Sequence, residues 1–166
     1  LVLLERLGLV SGLSRIISAS AEQLADRHRN LGADDASIMA LVDVLEGRVA
    51  IITAAGAVGK HAARRLVQAI DRVGGVAAVR RRLPTGAEDI ATGVRLARAA
   101  TNGAVVVLLR HDYEPDGLDG GVALLADAFD EVHTFQAAGE GPLAQILDLV
   151  LTADTVAAAL KSRRDD

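Results

Sequence analysis

Val49-Ala50-Ile51-Ile52-Thr53 is followed directly by Ala54-Ala55-Gly56-Ala57-Val58-Gly59. The first five residues form a continuous run rich in β-branched and apolar residues, which is typical of a strand buried on both faces of a parallel sheet. The small residues that follow predict a tight turn into a helix, where free N–H groups and the positive end of the helix dipole can hold an anion. This junction therefore predicts a fold class and the position of a binding site.

The chain continues as alternating strands and helices. Further apolar runs predict strands over residues 76–79, 104–109 and 132–135. Apolar residues that recur every three to four positions predict helices over residues 58–73, 88–100 and 118–129, and from Pro142 onward. Apolar strands separated by amphipathic helices predict an α/β fold: a three-layer sandwich around a parallel sheet of four or five strands.

The first 47 residues differ from the rest because their apolar pattern is helical throughout. Asp34 is expected to cap the second of these helices and Gly47 to end it. We therefore divide the chain into an N-terminal helical segment, residues 1–47, and an α/β domain, residues 48–166. The start of the chain is more apolar than one small domain needs, so we expect a homodimer or another domain to cover the N-terminal segment. Because the chain begins with Leu1 rather than Met, we also expect that preceding sequence is missing.

Composition excludes several kinds of protein. Of the 166 residues, 51% are apolar and 24% are charged, which excludes long disorder. The net charge of -4 and the 2% of aromatic residues do not fit a nucleic-acid interface. The lack of cysteine excludes disulfides and thiol nucleophiles. No apolar run reaches the ~20 residues of a membrane span and no signal peptide is recognisable, so we expect a cytoplasmic protein without membrane or nucleic-acid partners.

No metal site is predicted. His28, His111 and His133 are far apart in the sequence and lack the spacing of metal ligands, so each is expected at the surface or in a turn. The acidic residues between positions 112 and 119 lack the correctly placed glycine and closing glutamate of a calcium loop, and they predict an acidic surface loop instead.

Four interpretations of the loop over residues 53–60 stay open. A P-loop is disfavoured because Ala54 stands where its first glycine belongs and His61 follows Lys60. A dinucleotide fingerprint would retain its last two glycines, and Arg80-Arg81-Arg82 after the second strand would then suit the 2′-phosphate of NADP. A tight turn built from small residues needs no ligand at all.

The fourth interpretation is an anion site for a phosphorylated sugar. It would use the hydroxyl of Thr53, the backbone at Gly56 and Gly59, and the ammonium group of Lys60. The arginines at positions 80–82 would also suit a phosphate group, or they would form a solvated strand end.

The helix after the loop carries a second polar group of residues. Their spacing of three and four positions places them on one face, which points either into a cleft or to the solvent. These residues are His61, Arg64, Gln68 and Asp71.

From residue 48 onward, the order of these features resembles the second sugar-isomerase (SIS) domain of bifunctional phosphoglucose/phosphomannose isomerases. That family has a helix reading Ala-x-Arg and then Gln-Leu-Asn-Glu-Asn-Ala-Lys, followed by a Leu-Pro-Glu motif and a His-Asn pair. The corresponding segments here are Ala62-Ala63-Arg64, Gln68-Ala69-Ile70-Asp71-Arg72-Val73-Gly74, Leu83-Pro84-Thr85 and Glu88-Asp89. Residues 105–110 and 147–156 are similar to the family's closing strand and last helix, and residues 3–8 resemble the helix that links its two SIS domains.

Four departures separate the chain from the family pattern. Asp71 stands where the family has its catalytic glutamate, so its carboxylate is one methylene shorter. Glu88 stands where the resemblance places the histidine of ring opening, and Gly74 replaces the lysine of the helix motif. The family's first SIS domain is outside the sequence in hand.

The resemblance implies a domain that binds an aldose or ketose phosphate, without a cofactor. If active, it would transfer a proton between C1 and C2 through a cis-enediol, with Asp71 and Glu88 as the catalytic carboxylates. The residues implied in binding phosphate, hydroxyls or enediolate are Thr53, Gly56, Gly59, Lys60, Arg64 and Gln68. Because the carboxylate of Asp71 is one methylene shorter and Glu88 replaces a histidine, we expect little or no isomerase activity from this chain alone. The alternatives are a non-catalytic phosphosugar-sensing or dimerisation module, and an NADP-binding domain.

Overall fold

The structure, a computed structural model, describes residues 11–31, 35–83, 92, 94–95 and 103–165. Within these residues, four strands form one parallel sheet: β1 (Val49–Ala54), β2 (Ala78–Arg82), β3 (Ala104–Arg110) and β4 (Val132–Gln136). The strand order across the sheet is β2-β1-β3-β4. The predicted parallel α/β sheet is therefore confirmed.

Helices pack on both faces of this sheet. In the described residues they are α1 (Leu13–Asn30), α2 (Ala36–Leu45), α3 (Gly56–Ala69), α4 (Asp119–Ala128) and α5 (Gly141–Asp165), and α3 continues into a π-helical turn over Ile70–Gly74. Of the helix predicted over residues 88–100, Thr92, Val94 and Arg95 are described and are helical. Its other residues, Glu88 among them, lie outside the described part of the chain.

Alternate residues of β1 and β3 point into two separate apolar cores, one on each face of the sheet. Ile52 and Val107 belong to the core formed with α2, α3 and α5. Ile51 and Val106 belong to the core formed with α4. Both strands are central in the sheet and buried on both sides, which explains their continuous apolar sequence. The three-layer arrangement follows from these two cores.

β2 starts two residues later than predicted and extends through the three arginines. The N–H of Val76 donates to the carbonyl of Ile70 at 3.2 Å, so Val76 closes the π turn instead of entering the sheet. The pairing with β1 then continues to the pair Ala54↔Arg82. Residues 80–82 are therefore strand residues rather than the loop that follows a strand.

The described part of the N-terminal segment packs directly on the α/β domain. In α2, Ile38 and Leu41 belong to the same core as β1 and β3. α1 is attached to α5 by a salt bridge in which Nε of Arg27 donates to Oδ1 of Asp148 at 2.8 Å. Asp148 is buried, and its second oxygen accepts the N–H of Ala138 at 2.9 Å. The rest of α1 stays largely exposed.

α5 is the longest helix of the described chain and passes through the first core. It is also the one described helix that is long and apolar enough to span a membrane. Its buried residues extend from Ala144 to Leu160, and it contacts α1, α2 and α3. The central helix of a folded domain has the same composition as a span, so this core position accounts for the apolar character of α5.

Asp35 caps α2, one position after Asp34, the residue that the sequence pattern favoured. Its carboxylate accepts the N–H groups of Ser37 and Ile38 at 3.0 and 3.4 Å, and also the hydroxyl of Ser37. The bond from that hydroxyl, together with the backbone bonds, lowers the pKa of the Asp35 carboxyl below its ordinary value. Gly47 follows the end of this helix with a φ of 71°, as expected of a residue that terminates a helix.

We expect Asp35→Ala to lower the free energy of unfolding by about 1 kcal/mol, because first-turn N–H groups lose their acceptor. Since the pKa is lowered in the folded protein, the carboxylate contributes this stability above the pKa of an unfolded aspartate, about 3.9. The contribution is lost as the pH falls through the folded value. Urea unfolding at pH 7 and at pH 3 measures the loss, with Asp127→Ala, an exposed acid on α4, as the control. A loss of equal size at both pH values would contradict the prediction.

Candidate functional site

The direction in which the chain adds strands to the sheet reverses between β1 and β3. After β1 the chain adds β2 on one side, and it then crosses to β3 on the other side. Sheets of this kind bind ligands at this point, beyond the carboxyl ends of the strands. The connections found there are Ala55, which leads into the start of α3 at Gly56, and residues 111–118, which lead to α4.

His111 joins these two loops. Its Nε2 lies 2.9 Å from the carbonyl oxygen of Ala55, and its Nδ1 accepts the N–H of Tyr113 at 3.1 Å. Because Nδ1 accepts a hydrogen bond, the neutral ring carries its proton on Nε2, which donates to Ala55. The side chain is only 3% exposed. His111 thus lies in the loop after β3, as the expectation of a turn histidine has it, but it is buried and not at the surface. Its position directly after the most apolar strand was a signal for this burial.

Gly56 and Gly59 are required by the packing around this histidine. Gly56 has a φ of 64°, and a Cβ at this position would lie 3.2 Å from Cε1 of His111. A Cβ on Gly59 would lie 2.8 Å from the Cβ of Ala54, closer than two such carbon atoms approach. The two glycines therefore allow α3 to begin directly against β1 and His111, with or without a ligand.

A pocket of about 590 Å³ opens beside this junction, at the carboxyl ends of β1 and β2. Gly56 and Lys60 of α3 form one side of it, and Pro115 and Asp116 form another. A third side is the arginine run of β2, residues 80–82. Among the described residues that line the pocket, Asp116 supplies the one carboxylate.

Two other acidic residues after β3, Asp112 and Glu114, are hydrogen-bonded to neighbouring residues. Glu114 accepts Nε of Arg110 at 2.7 Å and the N–H of His111 at 3.3 Å. Asp112 accepts the side-chain amide of the buried Gln145, whose oxygen accepts the N–H of Asp112 at 2.9 Å. Two carboxylates of the predicted acidic loop therefore stabilise the conformation of that loop. Nowhere in the described chain do three or more His, Asp or Glu side chains come together in a way that could hold a metal ion.

Thr53 lies below the pocket, with its side chain in the interior. It is 1% exposed, and its hydroxyl has no hydrogen-bond partner among the described residues. By the alternation along β1 it points to the same face as Ile51, towards α4 and away from α3. Thr53 is therefore not among the residues that line the pocket.

The remaining predicted site residues lie further along α3. Arg64 is exposed, and Gln68 lines a groove between α3 and α5. Asp71 is exposed in the π turn. With a rise of about 1.5 Å per residue, Asp71 lies about 20 Å from Gly56. The structure thus brings together the predicted residues at the start of α3 and separates them from those at its end.

An ion pair fixes the two helices on either side of that groove. Arg65 of α3 donates through Nε and Nη2 to the two carboxylate oxygens of Asp154 on α5, each at 3.0 Å. These bonds raise the pKa of Arg65 above its ordinary value. The two-pronged geometry joins α3 to α5 on the exposed side of the groove.

A family model described as "Bacterial phospho-glucose isomerase C-terminal SIS domain" matches residues 34–165. Among solved structures, a glucose-6-phosphate isomerase like protein from Thermus thermophilus is similar, with a TM-score of 0.72 and 18% sequence identity. The similarity covers 95% of this chain and 55% of that chain, so the present chain spans about half of that relative. No curated protein matches the sequence.

Two further solved structures have a similar fold. The sugar isomerase domain of an RpiR transcription factor from Sphaerobacter thermophilus has a TM-score of 0.68 and 12% identity, over 94% of this chain and 93% of that one. The Vibrio vulnificus NanR protein, complexed with ManNAc-6P, has a TM-score of 0.61 and 14% identity, over 96% and 66%. At these identities, the likeness shows the fold.

His111→Ala should lower the free energy of unfolding by about 1–3 kcal/mol, because the carbonyl of Ala55 and the N–H of Tyr113 lose a buried partner. Thermal or urea unfolding measures this loss. His28→Ala, the same change at an exposed position of α1, is the control and should be nearly neutral. Equal stabilities of the two variants would show that the ring does not hold the loops together.

Proposed function

The chain belongs to the bacterial phospho-glucose isomerase C-terminal SIS domain family, and on this basis we propose that it binds a sugar phosphate in the pocket beside Gly56 and Lys60. The pocket lies at the point where doubly wound α/β sheets bind their ligands. A protein of similar fold, NanR, is complexed with ManNAc-6P. The family, the position of the pocket and its basic lining all support this proposal.

The start of α3 is the observation that carries the proposal. No side chain in the described part of the chain caps this helix at Ala55, so its first-turn N–H groups are available to an anion. Lys60 is exposed one turn later and adds a full positive charge to the same pocket. A phosphate monoester carries about −1.5 to −2 charges at pH 7 and accepts several hydrogen bonds. Asp116, across the pocket, would accept hydroxyl groups of the sugar.

We propose further that the chain alone does not isomerise the sugar phosphate. By resemblance, proton transfer falls to Asp71 and Glu88, with Arg64 and Gln68 beside them. Asp71 lies about 20 Å from the start of α3, whereas a base must come within about 3 Å of the proton it removes. A carboxylate at this end of α3 can act only on a sugar held at another surface, such as a contact with a second copy or with another SIS domain.

The second candidate function is a non-catalytic phosphosugar sensor, and the same separation of Asp71 from the pocket favours it. The sugar isomerase domain of a transcription factor has this fold over nearly its whole length. For both candidates we propose a cytoplasmic protein whose α1 face contacts a second copy or another SIS domain. Such a contact would cover Ile16 of α1, which is 52% exposed.

Lys60→Gln should weaken the binding of fructose 6-phosphate about tenfold, because a charge-assisted hydrogen bond worth about 1.5–3 kcal/mol is lost. Lys161→Gln makes the same change at the only other lysine of the chain and should leave the affinity unchanged. Isothermal titration calorimetry measures both variants. Equal affinity of wild type and Lys60→Gln would contradict the site. If wild type bound neither fructose 6-phosphate nor mannose 6-phosphate, the proposed function itself would be wrong.

A coupled assay should detect no turnover of fructose 6-phosphate or mannose 6-phosphate by the chain alone. Asp71→Asn should change neither this background rate nor the affinity for the sugar phosphate, because the carboxylate does not reach the pocket. Turnover well above background that disappears in Asp71→Asn would overturn the prediction. Turnover that survives the substitution would come from a contaminating enzyme.

A further inference from the structure

The arginines of β2 lie next to one another, and no described carboxylate neutralises them. Six arginines in the described residues form ion pairs with Asp or Glu: Arg27, Arg29, Arg48, Arg65, Arg110 and Arg163. The four cations that line the pocket form no such pair with any described residue: Lys60, Arg80, Arg81 and Arg82. Adjacent like charges repel each other, so this cluster is a ready site for anions.

The described part of the pocket lining carries more positive charge than one phosphate group balances. Among the described residues it holds four cationic side chains and one carboxylate, that of Asp116, a net charge of +3. The whole chain has a net charge of -4, so this surface is opposite in sign to the rest of the protein. A single phosphate monoester brings about −1.5 to −2 charges at pH 7, whereas two bring about −3 to −4.

The cations also form two groups on different elements. Lys60 lies with the start of α3, where the proposed phosphate site is. Arg80 and Arg82 are on β2, opposite Ile52 and Ala54 of β1, so both side chains lie on the sheet face that α3 covers. Their Cα atoms are about 6–7 Å apart, two residues along one strand. A pair of guanidinium groups at this spacing can bind one phosphate through several N–H donors.

We infer that the ligand of this pocket carries two phosphate groups, the first bound at the start of α3 and the second by Arg80 and Arg82. This inference rests on the proposed function and refines its ligand class. The pocket volume of about 590 Å³ lies within the ~300–1,000 Å³ of sites that enclose whole ligands. Arg80 already reaches across to α3, where its Nη1 lies 3.5 Å from the carbonyl oxygen of Lys60. The second phosphate would therefore bind between β2 and α3.

Two sources could supply this chemistry, and they differ in what joins the phosphates. A sugar bisphosphate would place a phosphorylated ring between the two cation groups. A dinucleotide with a 2′-phosphate would place its pyrophosphate at the start of α3 and the 2′-phosphate at β2. Charged residues on an outer strand can also serve only to prevent pairing with other chains. That role predicts no effect of the arginines on ligand affinity.

The test is isothermal titration of the full chain with three probes: fructose 6-phosphate, fructose 1,6-bisphosphate and NADPH. The first two share one sugar and differ by one phosphate group. We expect the bisphosphate to bind at least tenfold more tightly than the monophosphate. In Arg80→Gln/Arg82→Gln this ratio should fall below threefold, while the affinity for the monophosphate changes little. Arg15→Gln/Arg29→Gln, which removes the same charge from the exposed side of α1, should keep the ratio of wild type.

The outcomes distinguish a failure of the two-phosphate inference from a failure of the proposed function. Equal binding of monophosphate and bisphosphate would overturn the inference and leave the proposed function standing. A preference that persists in Arg80→Gln/Arg82→Gln would also overturn it, because the second phosphate would then bind elsewhere. Absence of binding by every probe would overturn both. If NADPH bound most tightly of the three probes and lost this binding in Arg80→Gln/Arg82→Gln, the result would support two phosphates and identify a dinucleotide as their source. Arg80→Gln alone serves as the variant if the double substitution fails to fold.

Discussion

The hydrogen bond from the ring of His111 to the carbonyl oxygen of Ala55 holds together the two loops between which the chain reverses its path across the sheet. The loop after β1 can follow its tight course only because Gly56 and Gly59 leave room for that ring and for Ala54. The loop after β3 is fixed in turn by the bond from Tyr113 to the same ring. The pocket lies against these two loops, so its shape depends on one neutral, buried imidazole.

The distribution of charge follows from how the acidic residues are used. Glu114 and Asp112 lie close to the carboxyl end of β3, yet both are bonded to side chains of their own neighbourhood, Arg110 and Gln145. Acidic side chains elsewhere form ion pairs that attach helices to one another, as Asp148 does with Arg27 of α1. An acidic protein can therefore keep a basic pocket, since the carboxylates nearest to it, apart from Asp116, are engaged in the scaffold.

Hydrophobic pattern predicted the strands and helices well, because burial on both sides of β1 and β3 leaves only apolar residues there. It placed β2 two residues early, since the N–H of Val76 is used to close a turn that no local pattern reveals. At the site, the sequence predicted that Gly56 and Lys60 would lie together, because both belong to one tight turn and the helix it opens. The family resemblance also joined Gln68 and Asp71 to that group, and helical periodicity could not correct it because it reports the face of a helix and not the distance along it. The sequence could not predict where the Thr53 hydroxyl points. Strand alternation turns it away from the pocket, but only the structure shows which face of the sheet α3 covers.

The π turn after α3 has a consequence for comparisons between relatives. Its hydrogen bonds join residues five apart rather than four, so the turn holds about one residue more than an ordinary helical turn. Gly74 seats it against α5, where a Cβ would lie 2.8 Å from Cδ1 of Leu160. In a homologue without the additional residue, the position that Asp71 occupies here would be taken by the residue next to it in the sequence. Residue counts that run through the turn over Ile70–Gly74 therefore slip by one between homologues with and without it, and superposed backbones define which side chains are equivalent.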